Sequence, residues 1–219
     1  MAVVSIASAK GGCGKTTLAI LLGCEFALES YRTTLLDCDL NQHATAFGLK
    51  AKLPNFSVVP DIGETEILRA LRDAEAQNDI VIIDLPGGSS TLALKAMQRS
   101  HFVLVPMRPS LPDARDAMKT VAQIDDAQDL ARTPIPRALI WTLFRPGFES
   151  KVSRHVRKSL EGEGVSILRS ALMERAAFQA IHLTGKVPRQ MEPKGGAATN
   201  VTALALEVME WLKAEEKAA

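Results

Sequence analysis

No stretch of this 219-residue chain approaches the roughly 18 consecutive apolar residues of a membrane-spanning helix. Cysteine is scarce. Cys13, Cys24 and Cys38 form neither a disulfide framework nor a metal-ligand spacing, which predicts reduced thiols in a cytosol. Cys13 and Cys38 read as small apolar fillers. Met1-Ala2 leads straight into an apolar run without a basic-then-apolar leader, so the expectation is a protein that is not exported. A net charge of +1 leaves the whole-chain balance silent about partners. No internal repeat, low-complexity tract or dividing linker interrupts the chain, and residues 1–219 read as one domain large enough for a full core.

What is present is an alternation of short apolar runs with helical patterns. Val3 to Ala7, Thr33 to Leu36, Phe56 to Val59, Ile80 to Ile83, Phe102 to Val105, Arg137 to Phe144 and Val165 to Leu168 read as strands. Between and after them lie helical stretches at about 15–30, 64–77, 91–99, 110–130, 151–161, 173–183 and 197–217. The continuous β-branched run 80–83 marks a central strand buried on both faces. Such alternation predicts an α/β fold, a mostly parallel twisted sheet with helices on both faces, and ligands at the carboxyl ends of its strands.

Lys10-Gly11-Gly12-Cys13-Gly14-Lys15-Thr16-Thr17 stands between the first strand and the first helix, the context of a phosphate-binding loop. Glycines let the backbone wrap a phosphate chain, and the helix start adds its positive dipole end. Lys15 can reach terminal phosphates, and Thr16 can ligate Mg²⁺. The general pattern wants glycine where Ala9 stands, and it has no second lysine like Lys10. Asp84 terminates the central strand and suits the metal side of phosphoryl transfer. Asp37 and Asp39 are expected to point apart and divide the work, one in the metal shell and the other facing the γ-phosphate and its water.

The loop, the Asp37-x-Asp39 segment and Ile-Ile-Asp84-Leu-Pro86-Gly87 together resemble the ParA/MinD family of deviant Walker A P-loop ATPases. Val103-Leu-Val-Pro106 and Met173-Glu174-Arg175-Ala176-Ala177-Phe178 extend the likeness over most of the chain, toward a short ParA-like subgroup that includes the transfer-DNA virulence ATPase. The resemblance implies a single-domain P-loop NTPase that uses ATP and Mg²⁺. Lys10 would cross a dimer interface to the partner's ATP, Lys15 would bind the β- and γ-phosphates, Thr16 the Mg²⁺ and Thr17 the α-phosphate, within a loop of Gly11, Gly12, Cys13 and Gly14. Asp39 would position the hydrolytic water, Asp37 and Asp84 would support Mg²⁺, and Pro86 to Ser90 would sense the γ-phosphate. The adenine pocket would lie near Phe144 and residues 169–171. Many relatives carry Pro-Gln where this chain has Leu40-Asn41-Gln42.

Residues 132–194 hold 12 Lys and Arg against 5 Asp and Glu, an excess that invites an anionic partner. Lys151, Arg154, Arg157 and Lys158 fit one helical face, and Arg169 and Arg189 are candidates to extend it. By resemblance, an ATP-bound homodimer would grip nucleoid DNA without sequence preference and answer to a ParB-like or cargo-linked activator, in the cytoplasm and off the membrane. A MinD-like membrane cycle would need a basic amphipathic tail, whereas the charges after Trp211 and Leu212 are mixed. A metabolic P-loop enzyme is the alternative from another class. A nitrogenase-iron-protein-like reductase would need a cysteine pair that is missing.

Overall fold

The computed structural model describes residues 1–145, 147 and 149–218, with no side-chain account of 215–218. The chain runs β1 (Ala2–Ser8), α1 (Lys15–Leu28), β2 (Thr33–Asp37), α2 (His43–Gly48), β3 (Phe56–Val59), α3 (Ile67–Gln77) and β4 (Ile80–Gly87). It continues through α4 (Thr91–Met97), β5 (Phe102–Met107), α5 (Leu111–Ala131), β6 (Arg137–Phe144) and α6 (Lys151–Gly162), then β7 (Leu172–Met173), α7 (Ala176–Thr184), α8 (Pro188–Met191) and α9 (Gly196–Ala218). The strands form one sheet in the order β3-β2-β4-β1-β5-β6-β7, and its strand pairs are parallel.

Strand alternation sorts the core into two halves. Val3, Val81, Ile83, Val103 and Leu139 face the layer of α3, α4, α5 and α6. Their neighbours Val4, Ile82, Leu104 and Ile140 face the layer of α1, α2, α7 and α9. Because β1 and β4 are covered on both faces, they read as continuous apolar runs. Helix α1 is apolar nearly all round, since it lies between the sheet and α9. Within α9, Trp211 stacks on Phe102 with ring centroids 5.2 Å apart, and Leu212 is buried. The expected packing role of these two residues therefore holds, while the mixed charges at 215–219 lie outside the described side chains.

The expectations differ from the structure mainly at short elements. Helix α2 has no sequence signature of length or periodicity; it forms where Asp37 Oδ2 accepts from the Thr45 backbone and hydroxyl, both at 2.8 Å. The expected strand at 165–168 makes only a bridge from Ile167 to Leu139, and the last paired strand is Leu172–Met173. Asn200 of α9 holds that segment extended, accepting from Met173 N–H at 3.0 Å and donating to the Ala171 carbonyl at 2.7 Å, so α7 starts only at Ala176.

A partly buried ion pair fastens the second layer. Glu25 on α1 is buried and accepts from Arg189 at 2.7 Å and from the Thr202 hydroxyl at 2.6 Å. Glu25→Ala would strand the Thr202 hydroxyl and leave Arg189 with Glu29 alone at 2.6 Å, and urea unfolding should show a loss of roughly 1–3 kcal/mol.

Candidate nucleotide site

The loop from Ser8 to Lys15 leaves β1 at the carboxyl edge of the sheet and enters α1. Gly12 and Gly14 take positive φ values of 72° and 90°, a conformation that other residues reach only with strain. No side chain caps α1, so its first N–H groups remain for an anion. Surrounding residues pin the loop. The Thr142 hydroxyl donates to the Cys13 carbonyl at 2.7 Å, and Arg108 donates to the Gly12 carbonyl at 2.7 Å. Gly87 approaches so closely that a Cβ there would stand 3.4 Å from the Gly11 nitrogen.

A cavity of about 810 Å³ opens over this loop and is walled by Gly11, Gly12, Gly14, Lys15, Thr16, Thr17, Asp39 and Gly87. Lys15 is buried, with its ammonium 3.4 Å from the Lys10 carbonyl. Lys10 is not among the residues that wall the cavity; its side chain is 40 % exposed and its ammonium lies 3.1 Å from Asp113 Oδ1. The two lysines of one loop therefore serve different spaces.

The three aspartates have distinct surroundings. Asp39 lines the cavity, and its Oδ1 accepts from the Asn41 backbone and side-chain N–H groups at 2.9 and 2.8 Å. Asp37 is buried and accepts from Asp39 N–H at 3.2 Å as well as from Thr45. Strand alternation is not what separates them, because residues i and i+2 of a strand share a face. They differ because β2 ends at Asp37 and the chain turns. Asp84 is fully buried, and neither of its carboxylate oxygens has a partner in good hydrogen-bonding geometry, although the Thr16 hydroxyl lies close enough to favour the charged form. Burial pushes its carboxyl up to about 7; Asp37 and Asp39 add to the rise, while the Thr16 hydroxyl and Lys15 oppose it. Burial, then Asp84 and Asp37, also push the Cys38 thiol up, which keeps it protonated in its filler role.

An orphaned buried carboxylate beside a threonine hydroxyl fits a divalent cation. Among the described residues no three His, Cys, Asp or Glu side chains cluster as a metal cage. An ion here would draw its other ligands from phosphate oxygens and water, the usual habit of magnesium.

With this geometry in place, residues 4–188 match the CobQ/CobB/MinD/ParA nucleotide binding domain. The chain belongs to that family. It is 31% identical over 217 residues to Protein ParA of Rhizobium radiobacter, covering 97% of this chain and 98% of that protein. The structure of apo McdA from Cyanothece superposes with a TM-score of 0.80 at 17% identity, covering 95% of this chain and 99% of that chain. An McdA–ATP complex from Cyanothece gives a TM-score of 0.75 at 16% identity, covering 96% of each chain. These two likenesses bear on the fold, which is that of the ParA/MinD ATPases.

Several expected site residues are not brought to the cavity. Phe144 packs into the core near Trp141, with centroids 6.4 Å apart, and its carbonyl accepts from Glu174 N–H at 2.8 Å. The register shift between β6 and β7 turns Leu143 to the cavity instead, at a φ of 52°. Leu143, Gly14, Thr17 and His182 also wall a second cavity of about 220 Å³ that reaches Phe178 and Gln179 of α7. His182 lies edge-on to His43 at 6.4 Å, and burial, with His43 and Lys50, lowers its pKa. No sequence signal marked Leu143 or the two histidines. Asp113 carried one, as the residue three after the helix-capping Ser110.

The expected basic face also divides. Lys151, Arg154 and Lys158 are exposed on α6. Arg157 instead lies over the Trp141 ring at 5.7 Å and 3.5 Å from Glu149. Arg169 is engaged by Glu207 at 3.3 Å and Glu210 at 2.6 Å, and Arg189 by Glu25 at 2.7 Å and Glu29 at 2.6 Å.

Asp84 yields a stability test. Its folded carboxyl holds a proton up to about 7, against an ordinary value of 3.8, so its contribution is present in acid and lost as pH rises through that window. Asp84→Asn in nucleotide-free protein with chelator should stabilise by about 1–3 kcal/mol at pH 8, a few degrees in Tm, and by little at pH 4. Calorimetry at the two pH values checks it.

Proposed function

We propose that this chain is a Mg²⁺-dependent ATPase that forms a homodimer on binding ATP, grips DNA without sequence preference, and positions a cargo until a partner protein stimulates hydrolysis. The observation that carries this reading is the divergence of Lys15, buried in the cavity, from Lys10, which belongs to the same loop but does not wall the cavity. This divergence supports separate tasks for the two lysines, Lys15 on its own subunit's phosphates and Lys10 on those of a second copy. Lys15, Thr17 and the loop N–H groups hold the phosphates, and the base enters the smaller cavity against Leu143 and Phe178 rather than Phe144. Thr16 and Asp84 would hold Mg²⁺, which supplies charge neutralisation on the terminal phosphates. Asp37 fixes the turn that carries Asp39, and Asp39, facing the cavity, orients the attacking water. Residues 86–90 abut the loop through the Gly87 contact and the Gly88 N–H bond to the Ser8 carbonyl at 3.2 Å. That contact gives the γ-phosphate a route to α4, in the manner of switch segments ordered by a phosphate.

Protein ParA of Rhizobium radiobacter is a relative over nearly the whole length of this chain, which supports a ParA-type partitioning or positioning role. No described helix is long and apolar enough to cross a membrane. The packed state of Trp211 and Leu212 leaves neither free to insert into a lipid surface, which disfavours the MinD-like cycle.

Two measurements test the reading. Lys15→Ala should abolish binding of a fluorescent ATP analogue, whereas Lys10→Ala should bind it within about 3-fold of wild type and remain monomeric in sedimentation; equal loss of binding in both variants would make Lys10 a ligand of its own subunit. For DNA, the triple variant Lys151→Glu, Arg154→Glu, Lys158→Glu should lose at least about 10-fold in ATP-dependent DNA affinity at low salt. Arg169→Gln, whose guanidinium is already engaged by glutamates, should change it little. Unchanged retention by the triple variant removes α6 from the interface.

A further inference from the structure

Three bonds tie the phosphate loop to the segment that follows β5. Ala9 N–H donates to the Thr120 hydroxyl at 2.8 Å, Arg108 donates to the Gly12 carbonyl at 2.7 Å, and the Lys10 ammonium pairs with Asp113 Oδ1 at 3.1 Å. Asp113 is the fixed member of that pair. Its side chain is 8% exposed, its N–H donates to the Ser110 hydroxyl at 3.2 Å, and that hydroxyl donates back to Asp113 Oδ2. It sits in the first turn of α5, where the helix dipole favours a carboxylate. Asp116, one turn on, bonds Lys119 at 2.8 Å and feels the charge of Lys10 without bonding it.

We propose that Asp113 is a positioning residue that restrains Lys10 on its own subunit, so that this ion pair must open before Lys10 can engage a second copy of the chain. The proposal rests on the dimer reading above. Reaching a phosphate on a second subunit would draw the ammonium away from its 3.1 Å contact with Asp113. A partly exposed ion pair is weak enough to yield to the denser charge of a triphosphate, yet strong enough to bias Lys10 in the resting chain. Two such pairs open in a two-fold dimer, so the bias enters twice. If each pair is worth about 2- to 5-fold, its loss should tighten the dimer by about 4- to 25-fold. An Asp113 that merely aligned Lys10 for its reach would give the opposite sign.

The experiment is sedimentation equilibrium of the full chain with Mg²⁺ and a saturating non-hydrolysable ATP analogue, with thermal unfolding as the check on folding. Asp113→Asn, with Asp113→Ser as a second neutral variant should the first fail to fold, is expected to dimerise about 4- to 25-fold more tightly than wild type. Asp113→Glu should restore wild-type behaviour, and the gain should vanish when Lys10→Ala is added. Dimers no tighter than wild type in the neutral variants overturn the restraint while leaving the dimer reading intact, whereas tight dimers of a neutral variant that also carries Lys10→Ala overturn both, because Lys10 would then not be needed at the interface. A wild-type chain that stays monomeric with the analogue at every protein concentration overturns both.

Discussion

A carboxylate sealed in a protein interior without a well-formed hydrogen bond is among the least favourable groups a fold can carry. Asp84 is such a group, and the architecture around it is arranged to keep it there. Its strand runs between β2 and β1, with Asp37 opposite it on one side and Ile6 on the other. The two aspartates face each other in register and meet different ends. Asp37 is satisfied by the Asp39 amide and Thr45 and becomes part of the scaffold. Asp84 is left without a full hydrogen bond beside Thr16 and Lys15, with burial pushing its carboxyl up. A carboxylate that costs stability in the resting protein is a local violation of packing rules of the kind expected at a functional site.

The phosphate loop obeys the complementary rule. The amides at the start of α1 carry no side-chain cap, and the loop is held by its carbonyls and flanks, partly from within by Lys15 on the Lys10 carbonyl and partly from outside. Thr142 and Arg108 take the carbonyls of Cys13 and Gly12, Thr120 takes the amide of Ala9, and Gly87 closes in where no side chain could. These residues come from β6, the β5–α5 turn, α5 and β4, so the loop's shape is a product of the whole carboxyl edge of the sheet. It is a preorganised cradle, with the ordering entropy spent at folding rather than at binding.

Charge in the later part of the chain shows why a regional excess is a poor guide to a surface. Of the basic residues between 132 and 194, Arg169 and Arg189 are engaged by glutamates of α9 and α1, and Arg157 by Glu149 and the Trp141 ring. What remains free to meet an anion on α6 is the exposed Lys151, Arg154 and Lys158. An arginine with carboxylate partners already made brings little new attraction to a phosphate backbone, whereas an unpaired one releases counterions.

Much of this protein was legible without coordinates because its signals are local. Positive-φ glycines between a β-branched strand and an apolar helix, an aspartate closing a buried run, and strands that alternate with helices are dictated by backbone sterics and by which faces must be buried. Contacts between residues distant in sequence were decided by the tertiary structure alone. Leu143 rather than Phe144 faces the cavity because a register shift against β7 rotates the strand end. Helix α2 exists because Asp37 reaches forward to Thr45, and Met173 is strand rather than helix because Asn200 holds it. Lys10 shows the division most plainly. Its presence in the loop was readable at once, but its partner lies 103 residues away. Local sequence encodes conformation, whereas the pairing of a charge depends on where the rest of the chain places its opposite.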